Sequence, residues 1–195
     1  MRRSSLVPAL VLTLAASAAP SRAQPATLSP ADQIAAAVLP LPAEFRAAAT
    51  VLGYGANGRL STLREGTGPF VCLAPDPKVT RFHVACYHQA LEPFMARGRE
   101  LRASGVTSER VDTVRFAEVK SGKLKMPDRG ALYTLTGGHF DAATGTAPGA
   151  NPLYVIYIPY ATAQSTGISE RPAQGVPWIM FPGTPKAHIM LVPRM

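Results

Sequence analysis

His188 and Met190 stand two residues apart near the end of this 195-residue chain, and Met180 lies just upstream, beyond Pro182-Gly183-Thr184-Pro185. In a strand, that spacing puts His188 and Met190 on one face, and a hairpin through the Pro-Gly turn brings Met180 across from them. Two thioethers and an imidazole form a soft donor set that suits copper. The plainer reading makes the methionines core filler and His188 a hydrogen-bonded structural residue. His139 and Asp141 form a second pair at the end of an apolar run beside Gly137 and Gly138. A histidine oriented by a carboxylate can act as a general base, whereas an aspartate in a loop also closes its own turn. His83, Cys86 and His88 offer a third set, with the close His-x2-Cys-x-His spacing of a zinc or copper site.

Cys72 and Cys86 are the only cysteines. Both sit in extended, apolar segments, and the short stretch between them can bring their backbones within bridging distance, so a structural disulfide is expected. Bridging would remove the Cys86 thiolate from the third set. No Gly-x-Ser-x-Gly, phosphate-binding loop or dinucleotide glycine fingerprint occurs, so neither histidine is accompanied by a recognisable nucleophile.

The elements that must position these residues follow from periodicity and punctuation. Ser29-Pro30 starts a short helix running to Val38, stopped by Pro40 and Pro42, and a further helical turn is expected over Ala43–Ala48. From Ala49 the pattern is that of a β-meander: strands over Thr50–Tyr54, Arg59–Arg64 and Phe70–Leu73, with turns at Gly55–Gly58 and Gly66–Gly68. Phe82–Tyr87 reads as a fourth strand or an extended loop. Leu91, Phe94, Met95, Gly98 and Leu101 recur at helical steps up to Gly105, and Ser108 is placed to cap a second helix, Glu109 to Lys120. Strands follow over Ala131–Thr136, Leu153–Tyr160, Trp178–Phe181 and Ala187–Val192, separated by loops over Asp141–Pro152 and Thr162–Gly175. Strands at both ends with helices between them predict an α+β fold with a mainly antiparallel sheet, two or three inserted helices and one disulfide.

Met1-Arg2-Arg3 followed by the uncharged run Leu6–Ala19 has the pattern of a secretory signal, with Ser21-Arg22-Ala23 as its cleavage site. Residues 1–23 are therefore expected to be a signal peptide and 24–195 a single domain. The run is short of the roughly 20 apolar residues that span a bilayer, so no transmembrane helix is expected in the mature chain. Without the three arginines of that segment, 17 basic side chains face 12 acidic ones, a net charge of +5 instead of +8. The basic stretch Arg97–Arg129 is interleaved with acids and holds one aromatic residue, Phe116, which argues against nucleic acid as a partner.

Two stretches resemble a family of uncharacterised exported bacterial proteins. Arg64-Glu65-Gly66-Thr67-Gly68-Pro69-Phe70-Val71-Cys72 is similar to that family's R-x-G-T/S-N-G-W-T-C segment, with the second Cys following in the same way. Gly175-Val176-Pro177-Trp178-Ile179-Met180 through Gly183-Thr184-Pro185-Lys186-Ala187-His188-Ile189-Met190 is similar to its C-terminal G-T-P-x-A-H-I-M motif. The family's Asn-Gly-Trp reads Gly68-Pro69-Phe70 here, and its G-P-H-L-M reads Asn151-Pro152-Leu153-Tyr154-Val155, which lacks the second histidine. The resemblance implies export, the disulfide and this arrangement of strands, and carries no activity with it.

Two functions remain in view. The leading one is a periplasmic or secreted binding module without catalysis, acting on an unidentified ligand or envelope component and needing no cofactor. The other is a copper- or zinc-binding protein, or a His-assisted metal-dependent enzyme, centred on His188 with Met180 and Met190 or with His139.

Overall fold

The computed structural model describes residues 27–193; the expected signal peptide lies outside them. Ser29 opens the first helix, α1 (Pro30–Ala37): its hydroxyl accepts from the Asp32 N–H and donates to the Asp32 carboxylate, and Pro30 fills a first-turn position where no N–H is needed. Ala36 and Ala37 are buried along one side of α1. The one-turn α2 (Ala43–Arg46) follows Pro42.

Eight strands make one mixed sheet: β1 (Thr50–Tyr54), β2 (Leu60–Arg64), β3 (Phe70–Leu73), β4 (His83–His88), β5 (Gly130–Thr136), β6 (Asn151–Tyr157), β7 (Trp178–Met180) and β8 (His188–Leu191). Their spatial order is β2-β1-β3-β4-β5-β6-β8-β7, antiparallel at every junction except β1 with β3. The fold is thus α+β with a mostly antiparallel sheet.

The meander expected from Ala49 onward is not formed. β3 returns past β2 and pairs in parallel with β1, leaving β2 at the sheet edge. The cause is the Gly66–Gly68 turn, which doubles back over the start of β1. Gly66 N–H donates to Thr50 Oγ1 and Gly68 N–H to Ala48 O. A Cβ on Gly66 would stand 2.3 Å from Ala48 O and Thr50 N, so only glycine allows this approach. Arg64 ties the crossing down by donating to Ala49 O and Arg46 O.

Cys72 and Cys86 are directly opposed in the antiparallel β3–β4 pair and are joined by a disulfide. Phe82–Tyr87, expected as strand or loop, is strand from His83 onward. Between β4 and β5 come a short 3₁₀ turn (Gln89–Leu91), α3 (Glu92–Ala103) and α4 (Ser108–Lys120). Ser108 is the first helical residue of α4, not its cap; Thr107 takes the cap position and makes no side-chain bond there. The loop expected over 162–175 contains a further helical turn, α5 (Ala163–Thr166), closed by a capping box between Thr162 and Ser165. The described residues therefore hold five helices, α1 and α2 ahead of the first strand and three, α3, α4 and α5, inserted between strands.

The two faces of the sheet are covered differently. On one, Val51, Phe70, Cys72 and Cys86 pack under α1 and the turn at Leu41. On the other, Val71, Tyr87, Val155 and Tyr157 pack with Leu91 and Met95 below α3. α4 has no broad apolar stripe and buries only Val111 and Arg115. It is held to α3 by Arg97 on Glu118 and by Arg115, whose guanidinium donates to Phe94 O and stacks 3.9 Å from the Phe94 ring centre. Among the described residues no helix is long and apolar enough to cross a membrane.

Candidate functional site

The β7–β8 hairpin is built by the Pro182–Pro185 turn. Thr184 Oγ1 donates to Phe181 O and accepts from the Lys186 N–H, while Thr184 O accepts from the Tyr160 N–H and so docks the turn on the end of β6. Phe181 pays for this geometry with a left-handed backbone (φ 52°), uncommon for a bulky residue. Its ring lies 5.7 Å from that of His188 and 4.3 Å from the Lys186 ammonium.

His188 is buried, with the Tyr157 ring 5.0 Å away on the neighbouring strand. Its Nδ1 is 2.7 Å from Lys186 O. A carbonyl only accepts, so Nδ1 carries a proton, and in the neutral ring Nε2 is the lone-pair nitrogen. Burial lowers the His188 pKa from its ordinary value; the bond to Lys186 O opposes this and the Lys186 charge adds to it. Lys186 Nζ reaches Asp112 Oδ2 of α4 at 2.8 Å, and Asp112 also accepts from Arg115. Burial alone would raise the Asp112 pKa, but the hydrogen bonds from Lys186 and Arg115 outweigh it and hold the carboxyl below its usual range. Burial pushes Tyr157 up to about 12, with Arg115 opposing and Asp112 reinforcing. The cluster joins hairpin, sheet and α4 and keeps a neutral imidazole beside a paired cation.

The strand register puts Met180 directly opposite His188 and Trp178 directly opposite Met190, with Tyr157 and Val155 on the other flank of β8. Met190 also packs into the core beneath α3. His139 is elsewhere. β5 begins at Gly130, opposite Tyr157, whose other neighbour is His188; it ends at Thr136, three residues before His139. Six residues of strand span about 20 Å, so the arrangement of His188 with His139 is not formed. Asp141 accepts from Thr144 Oγ1 and the Ala143 N–H, and these bonds, with a smaller contribution from His139, hold its pKa below the usual carboxylate range. The His83-Cys86-His88 set is dismantled as well: Cys86 is in the disulfide, His83 bonds Thr136 Oγ1, and His88 accepts from the Ala90 N–H. Among the described residues no three His, Cys, Asp or Glu side chains gather in a group able to hold a metal.

The opposite face of the same strands is open. β6 is apolar on both sides, with Leu153, Val155 and Tyr157 inward and Tyr154 and Ile156 outward, a pattern normally found where both faces are covered. Nothing among the described residues covers the outer side: Tyr154 is 40% and Ile156 48% exposed. With Tyr133, Ile189, Leu191 and Pro177 they line a groove of about 340 Å³. Tyr133 and Tyr154 meet edge to face, 5.7 Å between ring centres, and also wall an adjoining depression of about 370 Å³ that runs past Pro40 and Pro42 to Arg46. Arg46 donates through Nε to Leu41 O and through Nη2 to Leu39 O. The sequence reading missed this surface, although the all-apolar β6 was its signal.

Fold and covalent structure define a class: an α+β protein with one mixed, mainly antiparallel sheet and a single disulfide, features consistent with a protein of the periplasm or the extracellular space. No family model, curated protein or solved structure matches the chain.

Proposed function

We propose that the protein is a non-catalytic binding module of the periplasm or cell exterior that takes an anionic amphiphile, with the tail on the open sheet face and the acidic head toward Arg46. The observation that carries this reading is the outward side of β6, where Tyr154 and Ile156 remain exposed in a strand whose composition is that of a covered one. The groove volume is at the low end of small-molecule sites, and its walls are aliphatic and aromatic with little polar surface. The adjoining depression supplies the one charge, a guanidinium half buried beside prolines, and a carboxylate or phosphate head is its complement. An envelope lipid fragment has this chemistry. The resemblance to exported bacterial proteins and the signal-like N-terminus support the location.

Calorimetric titration with decanoate, below its micellar range, tests the reading. Saturable binding is expected, weaker for decanol, which lacks the charge. Ile156→Glu should weaken decanoate binding by roughly 10- to 100-fold, the worth of one buried aliphatic side chain. Absence of saturable binding, or equal binding by the Ile156→Glu protein, would overturn it.

A further inference from the structure

We infer that the inner face of the β7–β8 hairpin is a site for a soft monovalent metal ion, copper(I) in chemical class, held by His188 Nε2 and the thioethers of Met180 and Met190 beneath the Trp178 ring. The site is independent of the groove on the opposite face.

Four features support it. Register is the first: Met180 is the cross-strand partner of His188, and Trp178 that of Met190. Directly opposed residues in an antiparallel pair have Cβ atoms about 5 Å apart, and residues two apart on one strand follow at about 6.7 Å on the same face. The four side chains therefore form a compact square, and three of them carry soft donors. The methionine stems have enough torsional freedom to turn sulfur toward a common centre. Second, the His188 ring is already set as a ligand. Its Nδ1–H is spent on Lys186 O, the outer bond that fixes which nitrogen faces a metal, and Nε2 makes no hydrogen bond to any described residue.

Third, the charges select the ion. The square contains no carboxylate, and Asp112, which reaches the hairpin at Lys186, is committed to both Lys186 and Arg115. A divalent ion here would meet uncompensated positive charge and would lack the thiolate, carboxylate or multiple imidazole donors that zinc prefers. A monovalent soft ion asks least of that field, and thioether with imidazole is the donor set that selects copper(I). Fourth, Trp178 is buried with its Nε1–H unpartnered among the described residues, a cost a phenylalanine would avoid. Its contribution is the face of the ring, which attracts a cation better than that of any other side chain. The hairpin is also the sheet edge, and Met180 and Met190 are only half buried, so an ion has a way in. No thiolate competes, because both cysteines are bonded to each other.

Silver(I) is the first probe: it has the same soft preference, needs no reductant and so leaves Cys72–Cys86 intact. The tag-free, disulfide-bonded protein is titrated with silver(I) in chloride-free buffer, and metal is counted after gel filtration. The fluorescence of Trp178, the only tryptophan, is followed in parallel. About one silver ion per chain is expected, with the tryptophan quenched, and zinc(II) neither retained nor quenching. Met180→Leu and Met190→Leu conserve volume and should keep the fold; each is expected to lower silver affinity at least about tenfold, the loss that even an outer-shell change produces. Trp178→Phe should still bind. Should either methionine variant fail to fold, His188→Gln is judged by the same count. No silver on the wild-type protein would overturn the assignment. So would undiminished binding in the folded variants, which would place the metal on other donors of the chain, such as Met95, Met126 or the remaining histidines.

Discussion

Lys186 Nζ lies 2.8 Å from Asp112 Oδ2, a contact between residues 74 apart in the chain that fastens the C-terminal hairpin to α4. Its partner in the trio, Arg115, has only 6% of its side chain exposed, against 22% for Lys186. The two cations therefore depend on Asp112 to different degrees. Asp112→Asn strands a buried guanidinium and should cost about 2–3 kcal/mol in urea unfolding; Lys186→Met, which removes the more hydrated charge, should cost less than about 1 kcal/mol. Equal losses would mean that the pairs act as ordinary surface contacts.

The Cys72–Cys86 bridge closes a loop with a sequence separation of 14. Constraint of the unfolded chain by such a loop is worth about 3 kcal/mol. Cys72→Ala combined with Cys86→Ala should lower the unfolding free energy by about that amount, read from denaturant curves. A much smaller loss would show that the paired β3–β4 strands already restrict the unfolded chain.

Gly66→Ala adds a Cβ 2.3 Å from two backbone atoms, neither of which can move without disturbing β1. Overpacking of this kind costs about 1–3 kcal/mol. The variant is expected to unfold at lower urea concentration than the wild type, with amide exchange accelerated first in β2 and at the start of β1. An unchanged midpoint would refute the close crossing.

His188 has a folded pKa below its ordinary value of about 6.5, through burial. The unfolded chain therefore binds more protons as pH falls below that value, and stability rises with pH. The His188 contribution is complete above about pH 6.5 and is lost as pH drops through the folded pKa. His83, also lowered by burial and by Arg81, acts in the same direction. In the surrounding cluster, Asp112 is held below the usual carboxylate range and Tyr157 is pushed up to about 12, so neither titrates in this window. Unfolding free energies measured at pH 7.5 and 5.5 should differ less in His188→Gln than in the wild type, the remaining slope belonging to His83. An unchanged slope would mean that the His188 ring is not desolvated.

Much of this fold is legible in the chain because the signals are local. Ser29-Pro30 opens α1 where expected, and Gly105, at φ 84°, ends α3 as a glycine after the last turn should. The α4 boundary differs by one residue because Thr107 and Ser108 are equally good caps, and side-chain bonding decides neither. Gln33 was visible as the lone amide among alanines but its use was not. It lies 2% exposed, with Oε1 accepting from Tyr54 N–H and Nε2 donating to Tyr54 O and Leu28 O, so it pairs α1 to β1 as another strand's peptide would. No spacing rule links residues 33 and 54.

The sequence by itself determined the strands, the longer helices, the turn positions and the cysteine pair, since helix period, strand alternation and Gly/Pro chemistry act within a few residues. Tertiary structure alone decided which strand lies beside which. The parallel insertion of β3 next to β1, the separation of His139 from His188 along β5, the meeting of Lys186 with Asp112 and the bare outer side of β6 all follow from that choice. Strand pairing rests on contacts distant in the chain, and a run such as Leu153–Tyr157 is equally apolar whether one face is covered or two. Only the packed sheet shows which side was left open.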